Sequence, residues 1–377
     1  MASKRDKNSV LAVALDMIFL LAIVAADSTD HPIVQTSKAT IVGRRINIQP
    51  YQLPDFRKTV LAYTRLPYAE PPVGPLRFSL PVPMSLAGRV DGTRQSVACP
   101  QLLSLFFQVD LEQSEDCLYL DIYSPDPKPT SAPVMVWIHG GGYHFGAGSL
   151  PESIPTVLSA FGEVIVVTIN YRLGPLGFLT TGDDTIPANL GLWDQRQALV
   201  WVQTYIQAFG GDPTLVTIFG ESAGSASVNM HLVSAMSAGL FSRAIMQSGA
   251  LNTVWTHHQD KSEAIDAAFE FGKEMGCSTA RSDDLLQCLH LPTVFKYFFR
   301  PVADDHFLLG DPLQLTKEGK FNPASVIIGC LESEGSLHLI PGISVAKPRT
   351  GLRACNHPVH RRQLPQMPHD YSEQSTR

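Results

Sequence analysis

Short apolar runs recur along the chain, each closed by glycine or a polar residue: 134–139 (VMVWIH), 164–170 (VIVVTIN), 216–220 (VTIFG), 244–248 (AIMQS) and 326–329 (VIIG). Their lengths and β-branched content predict strands. Several are continuous rather than alternating, which predicts strands covered on both faces. Between them the period changes. Leu192, Leu199 and Val202 share a helical face, with Trp201 nearby, before Gly210-Gly211-Asp212-Pro213 stops the run. Residues 223–233 read as a helix of small and apolar side chains, and Ala264, Ala268, Phe271 and Met275 repeat at helical spacing up to Gly276. Strand alternating with helix predicts an α/β fold with a parallel sheet and helices on both faces. No internal repeat interrupts this pattern.

Composition adds boundaries. The chain has 377 residues, 44% hydrophobic and 17% charged, enough for one large α/β domain or two ordinary ones. A formal net charge of −6 without a long basic run argues against nucleic acid as a partner. Lys4, Arg5 and Lys7 precede the apolar stretch 17–24 (MIFLLAIV), and Val24-Ala25-Ala26 offers a cleavage site before Asp27. Residues 1–26 are therefore expected to be a signal peptide, which makes membrane contact transient and the product secreted or luminal. The segment 27–345 is the expected folded domain. Residues 346–377, rich in Pro, Arg, His, Gln and Ser, are expected to be a disordered tail. Six cysteines suit an oxidising compartment: Cys99 and Cys117 flank one loop, Cys277 and Cys288 another, Cys330 lies in an apolar run, and Cys355 has no evident partner. No Cys/His spacing resembles a zinc site, so no metal and no cofactor are expected.

The candidate chemistry lies in 219–228 (FGESAGSASV). Gly220-Glu221-Ser222-Ala223-Gly224 is a G-x-S-x-G pattern, which ordinary turns also contain. Here a strand precedes it and small residues able to start a helix follow, the context that a nucleophile elbow needs. The glycines keep side chains out of a sharp bend, and the helix N-terminus directs free N–H groups at the serine. A serine that attacks an acyl group needs donors for the tetrahedral oxyanion. The run Trp137-Ile138-His139-Gly140-Gly141-Gly142 follows a strand and offers amides with no Cβ in the way. By itself such a run also reads as a flexible turn.

These two motifs and six further stretches resemble the type-B carboxylesterase/cholinesterase family of α/β-hydrolases. The stretches are LPYAEPPVGPLRF (66–78), SEDCLYLDIYSP (114–125), VMVWIHGGGYHFGAG (134–148), NYRLGPLGFL (170–179), NLGLWDQRQALVWVQ (189–203), FGGDPTLVTIFGESAGSASV (209–228), LFSRAIMQSGALN (240–252) and, more loosely, PVADDHFL (301–308). They follow the family's order over roughly residues 33 to 345. The resemblance implies an α/β-hydrolase fold, with a mostly parallel central sheet and helices on both faces. It implies Ser222 as nucleophile, Gly141, Gly142 and Ala223 as oxyanion-hole donors, and Glu334 in ESEGS as the acidic triad member. Glu334 also reads as a surface glutamate in a turn. Disulfides Cys99–Cys117 and Cys277–Cys288 are implied as well, and Glu221 as a carboxylate shaping the local field. The implied partner is a small-molecule carboxylic ester. The loop from Cys99 to Cys117 carries no tryptophan, where cholinesterases hold a quaternary ammonium, and this argues against choline esters. Trp255 fits the family's acyl-pocket region, and a core tryptophan reads equally well.

One part of the pattern is missing. The family's general base is a histidine downstream of the acid in a glycine-led motif. No catalytic histidine is identified here: His338, His357, His360 and His369 follow Glu334, none in such a context, and His139 and His306 match other positions. The expectation is a chain lacking the family's final C-terminal portion, with an exposed apolar sheet edge. Its function is then serine ester hydrolysis with doubtful competence. The alternative is a catalytically silent, esterase-like binding or adhesion protein, and a third possibility is a fragment that does not fold stably.

Overall fold

A computed structural model describes residues 31–49, 57–101, 112–149, 153–251, 253, 255–289 and 299–329. The expected signal peptide (1–26), the expected tail (346–377), Glu334, Cys330 and Cys355 lie outside the described residues. In chain order the elements are β1 (Ile33–Gln35), β2 (Ala39–Val42), β3 (Arg44–Ile48), β4 (Lys58–Pro67), β5 (Gly88–Asp91), β6 (Tyr119–Asp126), β7 (Ala132–Ile138), α1 (Ser153–Gly162), β8 (Ile165–Ile169), α2 (Gly174–Phe178), α3 (Leu190–Tyr205), β9 (Gly211–Glu221), α4 (Ala223–Val233), β10 (Arg243–Gln247), α5 (Lys261–Glu274), α6 (Ser282–Leu289), α7 (Pro312–Lys317) and β11 (Ser325–Gly329).

Eight strands form the main sheet in the order β3-β4-β6-β8-β7-β9-β10-β11, and β1, β2 and β5 form a small separate sheet. The pairings from β8 through β7, β9 and β10 to β11 are parallel. Those from β3 through β4 and β6 to β8 are antiparallel. The five apolar runs of the sequence became β7 to β11. The antiparallel half escaped the apolar-run search because β3 (RRINI) and β4 (KTVLAYTRLP) intersperse charged and polar residues among apolar ones. Helix α4 packs on β7, β9 and β10, whereas α1 packs on β3, β4, β6 and β8, so the sheet has helices on both faces.

The expectation that the apolar runs are covered on both faces holds for β8, buried throughout. It holds also for Val216, Thr217 and Ile218 of β9, and needs correction on β7, β10 and β11. On β7 the buried positions Val134, Val136 and Ile138 alternate with half-buried Met135 and Trp137, and β10 alternates likewise. On β11 Ile327 and Ile328 are 52% and 56% exposed. Among the described residues, β7 and β10 bury one face while the other is half-buried or exposed, and no residue of β11 is fully buried.

The large core joins Val134, Val136 and Ile138 of β7 and Val216 and Ile218 of β9 to Leu199 and Val202 of α3 and Ala223, Ala226 and Met230 of α4. Helix α3 is followed by a single tight turn (Ile206–Phe209), and Gly210, at φ 93°, reverses the chain into β9. Helix α5 starts where the Asp260 carboxylate accepts from the Ser262 N–H at 2.9 Å. Its buried face is Ala264, Ala268 and Phe271, the residues marked by period. Both expected disulfides, Cys99–Cys117 and Cys277–Cys288, are formed. No described helix is long and apolar enough to cross a membrane.

Register sets the ends of the strands together. Ile138 pairs with Gly220, Glu221 with Gln247, and Gln247 with Gly329. The loops that leave β7, β9 and β10 and the end of β11 therefore lie along one carboxyl edge of the parallel half, where ligands of open α/β sheets bind.

Candidate active site

Ser222 stands between the last residue of β9 and the first of α4, at φ 55° and ψ −120°. A side chain other than glycine rarely adopts that conformation, which costs about 1–3 kcal/mol and persists only where its surroundings enforce it. Two backbone hydrogen bonds hold it in place. The Ser222 N–H donates to Gln247 O at 2.9 Å, and Ser222 O accepts from the Ala226 N–H at 3.0 Å inside α4. On either side the glycines let backbone approach backbone. A Cβ at Gly224 would lie 2.0 Å from Ile138 O, and one at Gly220 would lie 2.6 Å from Gly224 C. The bend is thus wedged against β7, and Ser222 stays half-exposed at its tip while Ala223 is buried.

The glycine run after β7 lies directly opposite. A Cβ at Gly140 would stand 3.2 Å from Ser222 Cβ and 2.8 Å from Glu221 O. Gly141 and Gly142 have φ of 104° and 60°. At Gly141 a Cβ would fall 2.0 Å from Phe145 O, so glycine is required there by space as well as by torsion. Among the described residues, no group accepts from the N–H of Gly141, Gly142 or Ala223. Three donors without an acceptor, two from the loop and one from a helix N-terminus, therefore lie on the loop and helix start that flank the serine.

The loop is held by residues that sequence reasoning missed. The Gly146 N–H donates to Gln101 Oε1 at 2.7 Å, and Gln101 Nε2 donates to Gly146 O at 2.9 Å. Asn170 Oδ1 accepts from the Gly148 N–H at 2.9 Å, while its Nδ2 donates to Val97 O and Cys117 O at 2.6 and 3.0 Å. The first disulfide loop is thereby tied to the glycine run. Tyr171 donates its hydroxyl hydrogen to His139 O at 2.9 Å and stacks on the His139 ring at a centroid distance of 4.3 Å. Asn170 and Tyr171 open a quoted stretch and Gln101 lies between Cys99 and Cys117, but only a three-dimensional placement links them to the loop.

His139 is buried, and its Nδ1–H donates to Gly140 O at 2.8 Å. Burial lowers its pKa to about 4, so the ring is neutral at pH 7 and serves the loop as a strut. His144, two residues past Gly142, is lowered to about 4 by burial and by the nearby Arg300. His231, at the far end of α4, is pinned by Ser237 Oγ at 2.8 Å and Gln195 Oε1 at 2.9 Å, and burial lowers it to about 3. Among the described residues, no hydrogen bond joins Ser222 Oγ to a histidine. Glu221 is exposed beside the serine. Trp255 is half-buried against the main core, which fits its structural reading. Strand β11 ends at Gly329 on the same edge as Ser222, and the Ser248 N–H donates to Gly329 O at 2.8 Å. Glu334 follows five residues later and lies outside the described residues. No group of three or more metal-binding side chains occurs among the described residues.

Beyond the elbow, the loop framework rests on one buried ion pair. Arg172 donates from Nε and Nη2 to the two carboxylate oxygens of Asp194, at 2.8 and 2.7 Å, and both side chains are nearly inaccessible. It couples the segment after β8 to α3.

The comparisons with known proteins agree with this arrangement. The model of the carboxylesterase family matches residues 30–375. The chain is 39% identical over 324 residues to acetylcholinesterase of Bungarus fasciatus, covering 79% of this chain and 53% of that protein. It is 38% identical over 369 residues to cholinesterase of Mus musculus, covering 91% and 60%. With acetylcholinesterase of Gallus gallus the figures are 39% over 316 residues, 76% and 40%. The chain thus spans about half the length of these relatives. A Ser222 bend between β9 and α4, a glycine run at its side and a match over nearly the whole described region lead to one assignment: the chain belongs to the carboxylesterase family, with the α/β-hydrolase fold.

Proposed function

We propose that the chain carries the acyl-transfer half of a serine ester hydrolase site. Ser222 Oγ attacks the carbonyl carbon of an uncharged carboxylic ester. The oxygen that becomes negative is received by the N–H groups of Gly141, Gly142 and Ala223. The alcohol leaves, and water then hydrolyses the acyl-serine. Glu334 is assigned as the acid that orients a histidine, since β11 delivers the chain to the edge that bears Ser222. The base itself has no candidate among this chain's histidines. The observation that carries the reading is the forced bend at Ser222, facing a glycine loop whose amides have no acceptor among the described residues.

The substrate class is a small carboxylic ester, without metal or nucleic acid. Two named relatives are acetylcholinesterases and one a cholinesterase. The loop between Cys99 and Cys117 here has no tryptophan to hold a quaternary ammonium, which favours esters of uncharged alcohols. The two disulfides fit a secreted or luminal protein.

A second reading has its own observation. Without a base on Ser222 Oγ the hydroxyl is a poor nucleophile, and loss of the base costs about six orders of magnitude in kcat in a serine protease. The chain is then an esterase-like binding protein that retains the elbow. A fluorophosphonate probe separates the two. Covalent labelling of the folded chain that disappears in Ser222→Ala supports the hydrolase site; a folded chain that resists the probe supports the binding protein.

A further inference from the structure

The directions of the Gly141 and Gly142 N–H groups are set by the carbonyls of their own peptide units. The loop contains no cis peptide bond, so each N–H points opposite to the C=O it is joined to. Gly140 O accepts from His139 Nδ1–H at 2.8 Å, which turns the Gly141 N–H away from that ring. Gly141 O accepts from the N–H groups of His144 and Phe145 at 2.9 and 3.2 Å, which turns the Gly142 N–H away from them. The loop aims its amides by tying down its carbonyls.

The first of these ties is backed by Gly146. A Cβ there would stand 2.4 Å from His139 Nδ1 and 2.8 Å from Gly140 O, so the residue packs directly on the bond that orients Gly141. At φ 109° Gly146 has a torsion that glycine adopts freely, and it has no side chain to anchor itself. Its anchor comes from outside the loop. Gln101 grips it with both ends of its amide, accepting from the Gly146 N–H at 2.7 Å and donating to Gly146 O at 2.9 Å. Among the described residues, no other group bonds to either atom. Gln101 is itself held. Its N–H donates to Gln113 Oε1 at 2.9 Å, its Nε2 also donates to Cys99 O at 3.0 Å, and Cys99 is joined to Cys117. A bridge between Ala98 and Gln113 fixes the same segment.

We infer that Gln101 is a positioning residue for oxyanion stabilisation. It holds Gly146 against His139 and Gly140, and through them it sets the direction of the Gly141 N–H. It touches neither Ser222 nor the amides themselves, and it acts only through the loop it clamps. The inference rests on the hydrolase reading of that loop. It adds that the segment opened by Cys99, far from the elbow in sequence, governs the rate of reaction at Ser222. A donor held slightly out of line still lets the substrate bind, but stabilises the transition state less.

Phosphonylation of the full chain by a fluorophosphonate tests this, resolved into a reversible binding constant and a maximal rate. Gln101→Leu removes both hydrogen bonds to Gly146 at similar size. Its maximal rate is expected to fall about 10- to 100-fold, with the binding constant within about twofold of wild type. Hydrogen exchange reads the loop without chemistry. The His144 and Phe145 amides, bonded to Gly141 O, are expected to exchange about tenfold faster in the variant, while the amides of α4 keep their rates. Gln101→Glu covers the case in which the leucine variant does not fold, and the same exchange measurement applies to it. Its carboxylate accepts from the Gly146 N–H but cannot donate to Gly146 O, whereas the protonated acid can do both. Its maximal rate relative to wild type is therefore expected to recover as the pH falls through the titration of that carboxyl; the His139 ring beside Gly146 is common to both chains and cancels in the ratio. The inference is overturned by a wild-type maximal rate in Gln101→Leu, by a change in the binding constant alone, or by unchanged exchange at His144 and Phe145. A folded wild type that resists the probe overturns the hydrolase reading instead. Exchange then decides on Gln101 by itself: faster rates uphold its hold on the loop, and equal rates overturn it.

Discussion

Gly224 has the least room of any residue at the elbow. Its α-carbon faces Ile138 O so closely that an added methyl would overlap it, at 2.0 Å. The backbone on both sides is fixed by sheet and helix hydrogen bonds and has no soft direction in which to move. Gly224→Ala is therefore expected to cost more than about 3 kcal/mol, in the range reserved for overpacking and backbone strain. A urea midpoint within experimental error of wild type would show that the bend is looser than described. The Arg172–Asp194 pair tells a similar story through charge. Asp194→Asn leaves a buried guanidinium with half its partners, and a loss of about 3–5 kcal/mol is expected by the same measurement. Buried histidines add a dependence on pH. His139 and His231 titrate near 4 and 3 in the folded chain, below the ordinary value of 6.5. Between 6.5 and about 4 the unfolded chain binds protons that the folded chain refuses, so stability is full above 6.5 and falls as the pH is lowered. Each ring contributes a slope of about 1.4 kcal/mol per pH unit there. The urea midpoint should drop from pH 7 to pH 5, and a flat profile would mean that these rings are open to protonation in the native state.

At the scale of elements, strands and helices of the parallel half could be read from the sequence because each carries its signal locally. The runs 134–139 and 164–170 are apolar over five or more positions, and 223–233 has the small residues a helix needs to approach a sheet. Ser222 and the glycine run were legible for the same reason: torsion and close approach restrict those positions to a few residue types. Gln101, Asn170 and Tyr171 were not, because a side-chain amide or hydroxyl leaves no periodic mark and its partners lie up to 73 residues away. The uneven cover of β7, β10 and β11 was also hidden, since an apolar run has the same appearance whether one face or two are packed. The second disulfide belongs to this scale. It closes a separation of 11 residues between the end of α5 and α6. Loop-closure entropy gives it about 3 kcal/mol, so Cys277→Ser with Cys288→Ser should lower stability by that order, measured against wild type in non-reducing urea. A loss below about 1 kcal/mol would mean that α6 is held by packing of Leu285 and Leu289 alone.

For the whole molecule, the fold gathers the ends of four parallel strands at one edge of the sheet and places a strained serine among them. The chain spans about half the length of its relatives, and it holds the Ser222 bend with the glycine run beside it. The base is the part the sequence does not identify. Strain at residue 222 is retained at a cost of about 1–3 kcal/mol, which a purely structural turn has no reason to keep. The central claim is geometric: the amides of Gly141, Gly142 and Ala223 converge on an oxygen bonded to the atom that Ser222 attacks. A crystal structure of the phosphonylated chain measures this directly. The account predicts phosphorus bonded to Ser222 Oγ, with the phosphoryl oxygen about 2.7–3.1 Å from those three nitrogens. A phosphoryl oxygen turned toward solvent, or toward other donors, would contradict it.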